Sequence, residues 1–336
     1  MSTGKTVFIW SSTVNTPTGN LMKGWEIENA NSLGKALKDA GFEISRTCCS
    51  RPSCFDFAAK KANKSALIKI HSDVDSFTRQ DSRELRVIAG RVSAAMLLVS
   101  RKTHDKPLED DTVYSRYSIC VVTEKTFRNF GTQLAEPLIN AGPGGYFVHI
   151  DGNLVERRRT ELGLSIGRLA ELIGVSRRTL YGYERNMAKA SITSAYNLAN
   201  VLGVPVAKPV NLLKKTREQH RECLLTRAKQ AIARQAILQK VFKKFASCDI
   251  APIQKAPFDF IMNFPEESYA IVGGVATAGE KCVDERVDEI LSVCRVVNAY
   301  PVLISEKHEP CSKDLPCFCA DELSAMQSPK DLIVNP

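Results

Sequence analysis

The sequence contains no run of about 18 consecutive apolar residues, the length that a membrane-spanning helix needs. Its N-terminus also lacks the basic segment followed by an apolar segment that is typical of a secretory signal. These two absences predict a cytoplasmic protein without a membrane partner. Thiols stay reduced in that compartment, so the eleven cysteines do not indicate a disulfide framework.

The positive charge of the chain is concentrated in its middle. The 336 residues have a formal net charge of +9, whereas 153–213 carry +5 and 214–244 carry +8, which leaves −4 for the remainder. Concentrated positive charge favours a polyanionic partner, because neutralised phosphates release their condensed counterions. A basic helix that is merely solvated explains the charge equally well.

Helix and strand patterns alternate on both sides of a central helical region, which predicts a chain of mixed class, α/β plus all-α. In the first part, the pattern predicts a helix over 32–40 that ends at Gly41, and strands over 54–58 and 66–70. The predicted order is a poorly defined extension (1–30), an α/β domain (31–140), a domain of four or five short helices (153–212), a basic long helix (214–245), a second α/β domain (246–307) and a Cys-rich tail (308–336).

The second α/β segment resembles a repeat of the first. Phe42 precedes Asp56 by fourteen residues, and Phe245 precedes Asp259 by fourteen residues. Each aspartate stands between two phenylalanines, in Cys-Phe-Asp-Phe and in Pro-Phe-Asp-Phe. Matching motifs at matching spacing predict that the two domains share one fold.

The stretch LSIGRLAELIGVSRRTLYGYERN carries a two-helix pattern over 166–185. Ser165 and Ser176 are predicted to cap the two helices, because a serine hydroxyl accepts a hydrogen bond from a free N–H of the first turn. Gly174 stands at the turn, where a positive φ is often needed, and Ala170 is small where the helices cross. The predicted apolar contacts are Leu169, Ile173, Val175, Leu180 and Tyr183.

This pattern resembles the lambda-repressor and Cro type of helix-turn-helix DNA-binding domain. The resemblance implies that the second helix enters the major groove of double-stranded DNA with its first residues at the base edges. Ile166 departs from the pattern, since a DNA-contacting glutamine is common there, and Gly182 leaves one face of the second helix bare. The resemblance implies base-reading roles for Ser176, Arg177, Arg178, Thr179 and Tyr181, and weaker, phosphate-binding roles for Arg185 and Arg168.

Four segments resemble an archaeal family of helix-turn-helix transcriptional regulators over 31–307. In chain order they are ALIKIHSDVDSF, PLEDDTVYSRYSI, PGGYFVHIDG and GVSRRTLYGYERNM. The resemblance implies a DNA-binding transcription regulator that is not an enzyme and needs no cofactor. A helical module of this kind also serves as a protein-binding surface, since one fold hosts several functions, so a protein-interaction scaffold is an alternative.

A Phe-Asp-Phe strand followed by an apolar strand with a lysine resembles the core of restriction endonucleases, whose two acidic residues bind Mg²⁺. Asp56 and Lys69 fit this pattern, but Leu67 occupies the position of the second acid. In the second copy, Ala270 and Val272 replace the acid and the lysine. One carboxylate holds Mg²⁺ poorly, so we expect no catalytic residue. A structural ion pair then explains Asp56 and Lys69, with the fold reused for dimerisation, DNA clamping or ligand sensing; a nuclease-like enzyme is the alternative.

Two groups of residues have the chemistry of zinc ligands. Zinc prefers four Cys or His ligands in short-spaced pairs, and the Cys-x-Cys spacing of the tail is not usual for a zinc finger. We therefore predict reduced thiols and no metal site. The two groups are Cys48, Cys49 and Cys54, and His308, Cys311, Cys317 and Cys319.

The basic stretch 214–245 contains no Gly or Pro and is predicted to be one long helix. Such a helix would support a homodimer and add phosphate contacts, because one helix-turn-helix unit reads only a few base pairs. Packing of its apolar side on the second α/β domain of the same chain is the alternative. The apolar side consists of Leu224, Leu225, Ala228, Ile232, Ala236 and Leu238.

Overall fold

The computed structural model describes residues 24–104, 106–133, 135–215, 236–246, 248–263, 269–277, 283–306, 315–326 and 328–333. Among the helices in these ranges, none is long and apolar enough to cross a membrane.

The first α/β unit covers residues 24–133. Its helices and strands are α1 (Gly24–Asp39), β1 (Glu43–Ile44), β2 (Phe57–Lys61), β3 (Lys64–Asp73), a 3₁₀ turn (Val74–Ser76), α2 (Arg79–Arg91), β4 (Ala95–Thr103), β5 (Lys106–Pro107), β6 (Thr112–Arg116), β7 (Ile119–Val122) and α3 (Glu124–Gln133). The strand order begins β1-β2-β3-β4-β7, with β2 antiparallel to both neighbours and β4 parallel to both neighbours. Helices α1 and α3 bury Leu33 and Phe127 against one face of this sheet.

Several boundaries in this unit differ from the sequence-based prediction, including both ends of β3, which was predicted over 66–70. Helix α1 begins at Gly24 instead of residue 32, because Glu26 and Ala30 are buried in the unit. Residues 24–30 therefore belong to this helix and not to the predicted extension. Strand β2 begins at Phe57 instead of residue 54. The Cys54 N–H donates to the Lys255 carbonyl at 2.9 Å, which turns this segment towards the second α/β unit.

The central helical domain is joined to the first sheet by a hairpin. It contains β8 (Ile139–Gly142), β9 (Gly145–Ile150), α4 (Gly152–Glu161), α5 (Ile166–Ile173), α6 (Arg177–Glu184), β10 (Ala190–Ser191), α7 (Ile192–Leu202) and β11 (Ala207–Lys208). Strand β8 pairs with β6, and β9 pairs with β8, β10 and β11, so the helices sit on one end of an 11-stranded sheet. The structure has four helices over 152–202 and none over 203–215, so the fifth helix of the wider prediction is not formed.

The second α/β unit extends beyond the predicted 246–307. It contains α8 (Ala236–Lys244), β12 (Asp249–Pro252), β13 (Phe260–Asn263), β14 (Ala270–Ala276), α9 (Val283–Val297), β15 (Tyr300–Ser305), β16 (Cys317–Cys319) and 3₁₀ turns at Glu322–Ser324 and Pro329–Leu332. Strand β16 comes from the predicted tail. It pairs in parallel with β15 and forms one edge of the 5-stranded sheet. Of the predicted long helix, 214–215 is not helical, 216–235 lies outside the described residues, and α8 buries Ile237 and Val241 in this unit.

The two α/β units share one topology, which confirms the predicted repeat at the level of the fold. The order β12-β13-β14-β15-β16 has the same sequence of antiparallel and parallel pairs as β1-β2-β3-β4-β7. The Ile70 N–H donates to Asp56 Oδ2 at 2.6 Å, and the Val275 N–H donates to Asp259 Oδ2 at 2.6 Å. The aspartate therefore occupies the same place in both copies.

One hydrophobic core lies between the two α/β units. Helix α2 contributes Leu85, and α9 contributes Ile290 and Val293, to the same buried cluster. The rings of Phe55 and Phe258, which precede the two aspartates, lie with their centroids 6.3 Å apart. The units therefore pack as a pair related by their repeated elements.

Candidate nucleic-acid interface

Helices α5 and α6 begin at capping serines and are separated by a glycine turn. Ser165 Oγ accepts a hydrogen bond from the Arg168 N–H at 3.1 Å, and Ser176 Oγ accepts one from the Thr179 N–H at 3.0 Å. Gly174 ends α5 with a φ of 75°, in the left-handed region. The structure confirms the predicted caps and turn, so the entry points of both helices are set by local residues.

The predicted apolar contacts form the core of this domain. Leu169 and Leu180 are fully buried between α5 and α6, and Val175 packs against them from a partly buried position. Ala170, Ile173 and Tyr183 complete the contact. Burial of these side chains holds α6 on the domain and leaves its opposite face in solvent.

A partly buried ion pair, which no sequence pattern predicted, fastens α6 to α4. Arg159 donates from Nε to Glu184 Oε1 at 2.6 Å and from Nη2 to Glu184 Oε2 at 3.2 Å. Its Nη1 also donates to the Leu164 carbonyl at 2.9 Å. A two-point arginine–carboxylate contact fixes geometry as well as distance. No local sequence signal reveals it, because the partners lie on different helices.

A groove on the outer surface connects the start of α5 to the start of α6. Arg177, Arg178 and Tyr181 are exposed, and Tyr181 keeps 49% of its surface accessible. Three of the five predicted base-reading residues thus lie side by side on one surface. The groove is lined by Ser165, Ile166, Gly167, Arg177, Arg178 and Tyr181.

The other predicted site residues make contacts within the domain. Ser176 Oγ lies 2.8 Å from Thr179 Oγ1, so both hydroxyls take part in the start of α6. The Arg185 guanidinium lies over the Tyr181 ring, 5.6 Å from its centroid. Arg168 lies on α5 and donates to Glu171 Oε2 at 2.8 Å. The charge of Arg168 is therefore balanced within α5.

The positive charges of the helical domain differ in whether they have an acidic partner. Among its described residues, Arg177, Arg178, Arg185 and Lys189 make no ion pair, and all four are exposed. They belong to α6 and the turn that follows it. The other cations of the domain each form an ion pair: Arg157 and Arg158 with Glu161, Arg159 with Glu184, Arg168 with Glu171, and Lys208 with Asp151.

The nuclease-like position of the first α/β unit is occupied by a buried ion pair. Lys69 Nζ donates to Asp56 Oδ1 at 2.7 Å and to the Ser53 carbonyl at 3.0 Å. Burial alone would lower the pKa of Lys69, but the adjacent Asp56 carboxylate raises that pKa above its ordinary value. Leu67, at the position of the second acid, is fully buried. Asp56 and Lys69 therefore form a structural ion pair, as the sequence predicts.

The second unit satisfies its aspartate with a different cation. Asp259 Oδ2 accepts a hydrogen bond from Arg286 of α9, and Asp259 Oδ1 accepts one from Arg51 of the first unit at 2.8 Å. Arg286 also donates to the carbonyls of Pro257 and Val275, at 2.6 and 2.9 Å. Arg286 supplies from a helix the positive charge that Val272 lacks, and no local sequence pattern predicts it.

The cysteine groups form no metal-binding cluster in the described part of the chain, where three His, Cys, Asp or Glu side chains never converge on one point. Burial raises the pKa of both Cys48 and Cys54 well above its ordinary value, so these thiols are protonated. Cys317 and Cys319 belong to β16, whereas His308 and Cys311 lie outside the described residues.

Two family models match separate parts of the chain. A model described as a PD-(D/E)XK superfamily domain matches residues 27–136, and one described as helix-turn-helix matches residues 155–208. The first covers the first α/β unit, and the second covers α4 to α7. Among solved structures, the restriction-modification controller protein C.AhdI from Aeromonas hydrophila is 34% identical over 16% of this chain and 80% of its own, with a TM-score of only 0.15.

Curated relatives match the chain over most of its length. The "Putative HTH-type transcriptional regulatory protein MJ1164" of Methanocaldococcus jannaschii is 31% identical over 84% of this chain and 87% of its own. A protein of the same description from Haloquadratum walsbyi, HQ_3058A, is 39% identical over 53% of this chain and 54% of its own. The chain therefore belongs to this archaeal family of HTH-type transcriptional regulatory proteins, and its helical domain is of the lambda-repressor and Cro type.

Proposed function

We propose that this protein is a sequence-specific DNA-binding transcription regulator that reads the major groove with α6. The observation that carries the proposal is the exposed cluster of cations on α6 without acidic partners among the described residues. An arginine without a partner in its own chain keeps its N–H donors for guanine or phosphate oxygens. The two-point contact of Arg159 with Glu184 supports the proposal, because it fixes α6 in the orientation that presents those donors.

The site residues divide by their surroundings into readers and supports. Arg177, Arg178 and Tyr181 face the groove and are proposed to meet base edges. Ser176 and Thr179 hold the first turn of α6, with their hydroxyls directed to each other, and contact DNA from there. Arg185 and Arg168, at the far end of α6 and on α5, are proposed to bind phosphates, which set the register of the protein on the duplex.

The protein is proposed to act as a homodimer. One reading helix covers only a few base pairs, and dimers of such domains bind two half-sites about 34–36 Å apart, one turn of DNA. The basic stretch 214–244, most of it outside the described residues, has the charge to reach the intervening phosphates.

The flanking α/β units are proposed to be non-catalytic. Asp56 is bound by Lys69, and Asp259 is bound by Arg51 and Arg286, so neither carboxylate has a second acid for a divalent cation. We infer that the two units act as a paired scaffold for the helical domain, to which the first unit is joined through β8 and β9.

Salt dependence of DNA affinity tests the proposal. Replacing Arg177, Arg178 and Arg185 with Ala should weaken binding, and loss of the phosphate contact proposed for Arg185 should flatten the plot of log affinity against log salt by roughly 0.9. The matched control replaces Lys38, Lys64 and Lys125, which are exposed on the first α/β unit and lie outside the basic stretch, and should leave the slope unchanged. Equal effects of the two triple variants, or no DNA binding by the wild type, would favour a protein-interaction module.

A further inference from the structure

The guanidinium of Arg177 lies close to a glycine of the neighbouring helix. A methyl group built on Gly167, in the first turn of α5, would lie 2.8 Å from Nε and 3.1 Å from both Cζ and Nη2 of Arg177. These distances are shorter than ordinary contacts between a methyl carbon and a guanidinium. The Arg177 side chain therefore occupies the space in which any other residue at position 167 would place its first carbon.

The contact with Gly167 is what defines the position of Arg177. Among the described residues, Arg177 makes no ion pair and no side-chain hydrogen bond. Ile166, which also lines the groove, has an aliphatic side chain without a polar atom. A long, exposed arginine loses considerable rotational freedom when it binds, unless packing has already restricted it.

We propose that Gly167 is a positioning residue for DNA recognition: its bare α carbon seats the Arg177 guanidinium along α5, in the conformer that meets DNA. This inference rests on the proposed function, because it names what orders one of the reading side chains. Arg177 touches DNA, and Gly167 acts only through Arg177. Specificity then depends on a residue that itself has no side chain to make a contact.

Gly167→Ala separates this role from a structural one. The added methyl displaces only the end of a flexible side chain, and alanine favours the helix over glycine, so the melting temperature should stay the same or rise. Affinity for the selected DNA sequence should nevertheless fall by about two- to tenfold, the range expected when one side chain must be ordered on binding. The ratio of specific to nonspecific affinity should fall with it.

A double-mutant cycle with Arg177→Ala supplies the decisive comparison. In the Arg177→Ala background, Gly167→Ala should cause no further loss of affinity, because the displaced side chain is absent. Gly34→Ala is the matched control, since a methyl group there lies 3.8 Å from Ile44 Cγ2, an ordinary contact in α1. The inference would be overturned if Gly167→Ala kept the full DNA affinity, or if it lost affinity equally in the wild-type and Arg177→Ala backgrounds. In either case, DNA binding by the wild type would still support the proposed function. A wild type that binds no DNA would overturn both.

Discussion

Arg51 of the first α/β unit donates a hydrogen bond of 2.8 Å to Asp259 of the second unit. Asp259 stands where Asp56 stands in the first unit, at the nuclease-like position. A loop of one copy thus reaches into the equivalent site of the other. The two copies of the fold therefore pack against each other as an internal pair.

Two glutamates make that pairing reciprocal. Glu289 of α9 accepts hydrogen bonds from the N–H groups of Cys49 and Ser50, at 2.7 and 2.8 Å. Glu84 of α2 accepts them from Gln254 and Lys255, at 3.0 and 2.8 Å. Each unit therefore binds a loop of the other unit through the equivalent helix, α2 in the first unit and α9 in the second. We expect the two units to unfold together.

Glu289→Ala should lower the free energy of unfolding by about 1.5–3 kcal/mol, because the hydrogen bonds that Cys49 and Ser50 donate to a buried, charged carboxylate are lost. Urea denaturation followed by circular dichroism measures the change. Glu285→Ala, on the same helix but exposed, is the control and should change the free energy by no more than about 0.5 kcal/mol. Similar losses in the two variants would contradict the role given to Glu289.

A second contact between the units should respond to pH. Burial raises the pKa of Asp81, but hydrogen bonds from Lys255, at 2.6 Å, and from Thr78 outweigh burial and hold the pKa below its ordinary value of 3.8. A carboxyl whose pKa is lowered by folding stabilises the folded state above its ordinary pKa and loses that effect as the pH falls through the folded value.

Asp81→Asn should therefore unfold more easily than the wild type at neutral pH, and the gap should narrow as the pH falls below 3.8. Urea midpoints measured across that range provide the test. A gap that stays constant with pH would show that Asp81 contributes through its shape and not through its charge.

The buried pair of Asp56 and Lys69 should matter for folding and not for chemistry. Wild-type protein with Mg²⁺ should leave DNA uncut, because Leu67 stands in place of the second acid. Asp56→Ala should lower the free energy of unfolding by about 3–5 kcal/mol, since it leaves the Lys69 ammonium buried without a partner. Metal-dependent cleavage that disappears in a folded Asp56 variant would contradict this account.

Because Asp56→Ala alone risks unfolding the protein, the double variant Asp56→Ala/Lys69→Met keeps the test informative. Removing both charges at once should recover the part of the stability lost to the unpaired Lys69 ammonium, although the Ile70 N–H still lacks its acceptor. DNA affinity of the double variant should equal that of the wild type, since the pair lies in the first α/β unit and outside the helical domain. A selective loss of DNA affinity would instead place the pair at the interface.

The pair of helices α5 and α6 was predictable because its determinants are local. Ser165, Gly174 and Ser176 define caps and a turn within a few residues of the backbone groups that they satisfy. The exposed face of α6 followed from the apolar residues at helical spacing on its other side. The fixation of α6 by Arg159 and Glu184 was not predictable, because an ion pair between helices has no periodic signature.

Contacts between the α/β units escaped the sequence analysis for a similar reason. Arg51 and Asp259 are separated by 208 residues, so no window of the sequence contains both. Strand β16 is only 3 residues long and follows a polar segment, which hid its place at the edge of the second sheet. Helix α1 begins before its apolar pattern does, because Glu26 is buried against His71, with Oε1 and Nδ1 3.3 Å apart.

Arg178→Ala should lower the affinity for the preferred DNA sequence more than the affinity for unrelated DNA. The loss of one two-point contact with guanine removes about 1–3 kcal/mol of discrimination, while most phosphate contacts remain. Fluorescence anisotropy with both kinds of duplex gives the two affinities. The control is Lys125→Ala, an exposed charge on α3, which should change neither. A parallel fall of both affinities would assign Arg178 to phosphates.

The measurement that tests the central claim most directly is the selection of DNA sequences bound by the wild-type protein from a random pool. If α6 reads bases in a homodimer, the selected sequences should share two short inverted half-sites centred about 10–10.5 base pairs apart. The same selection with Arg178→Ala should relax the preference at one position of each half-site. Recovery of DNA without a shared sequence, or an unchanged preference in the variant, would contradict sequence reading by α6.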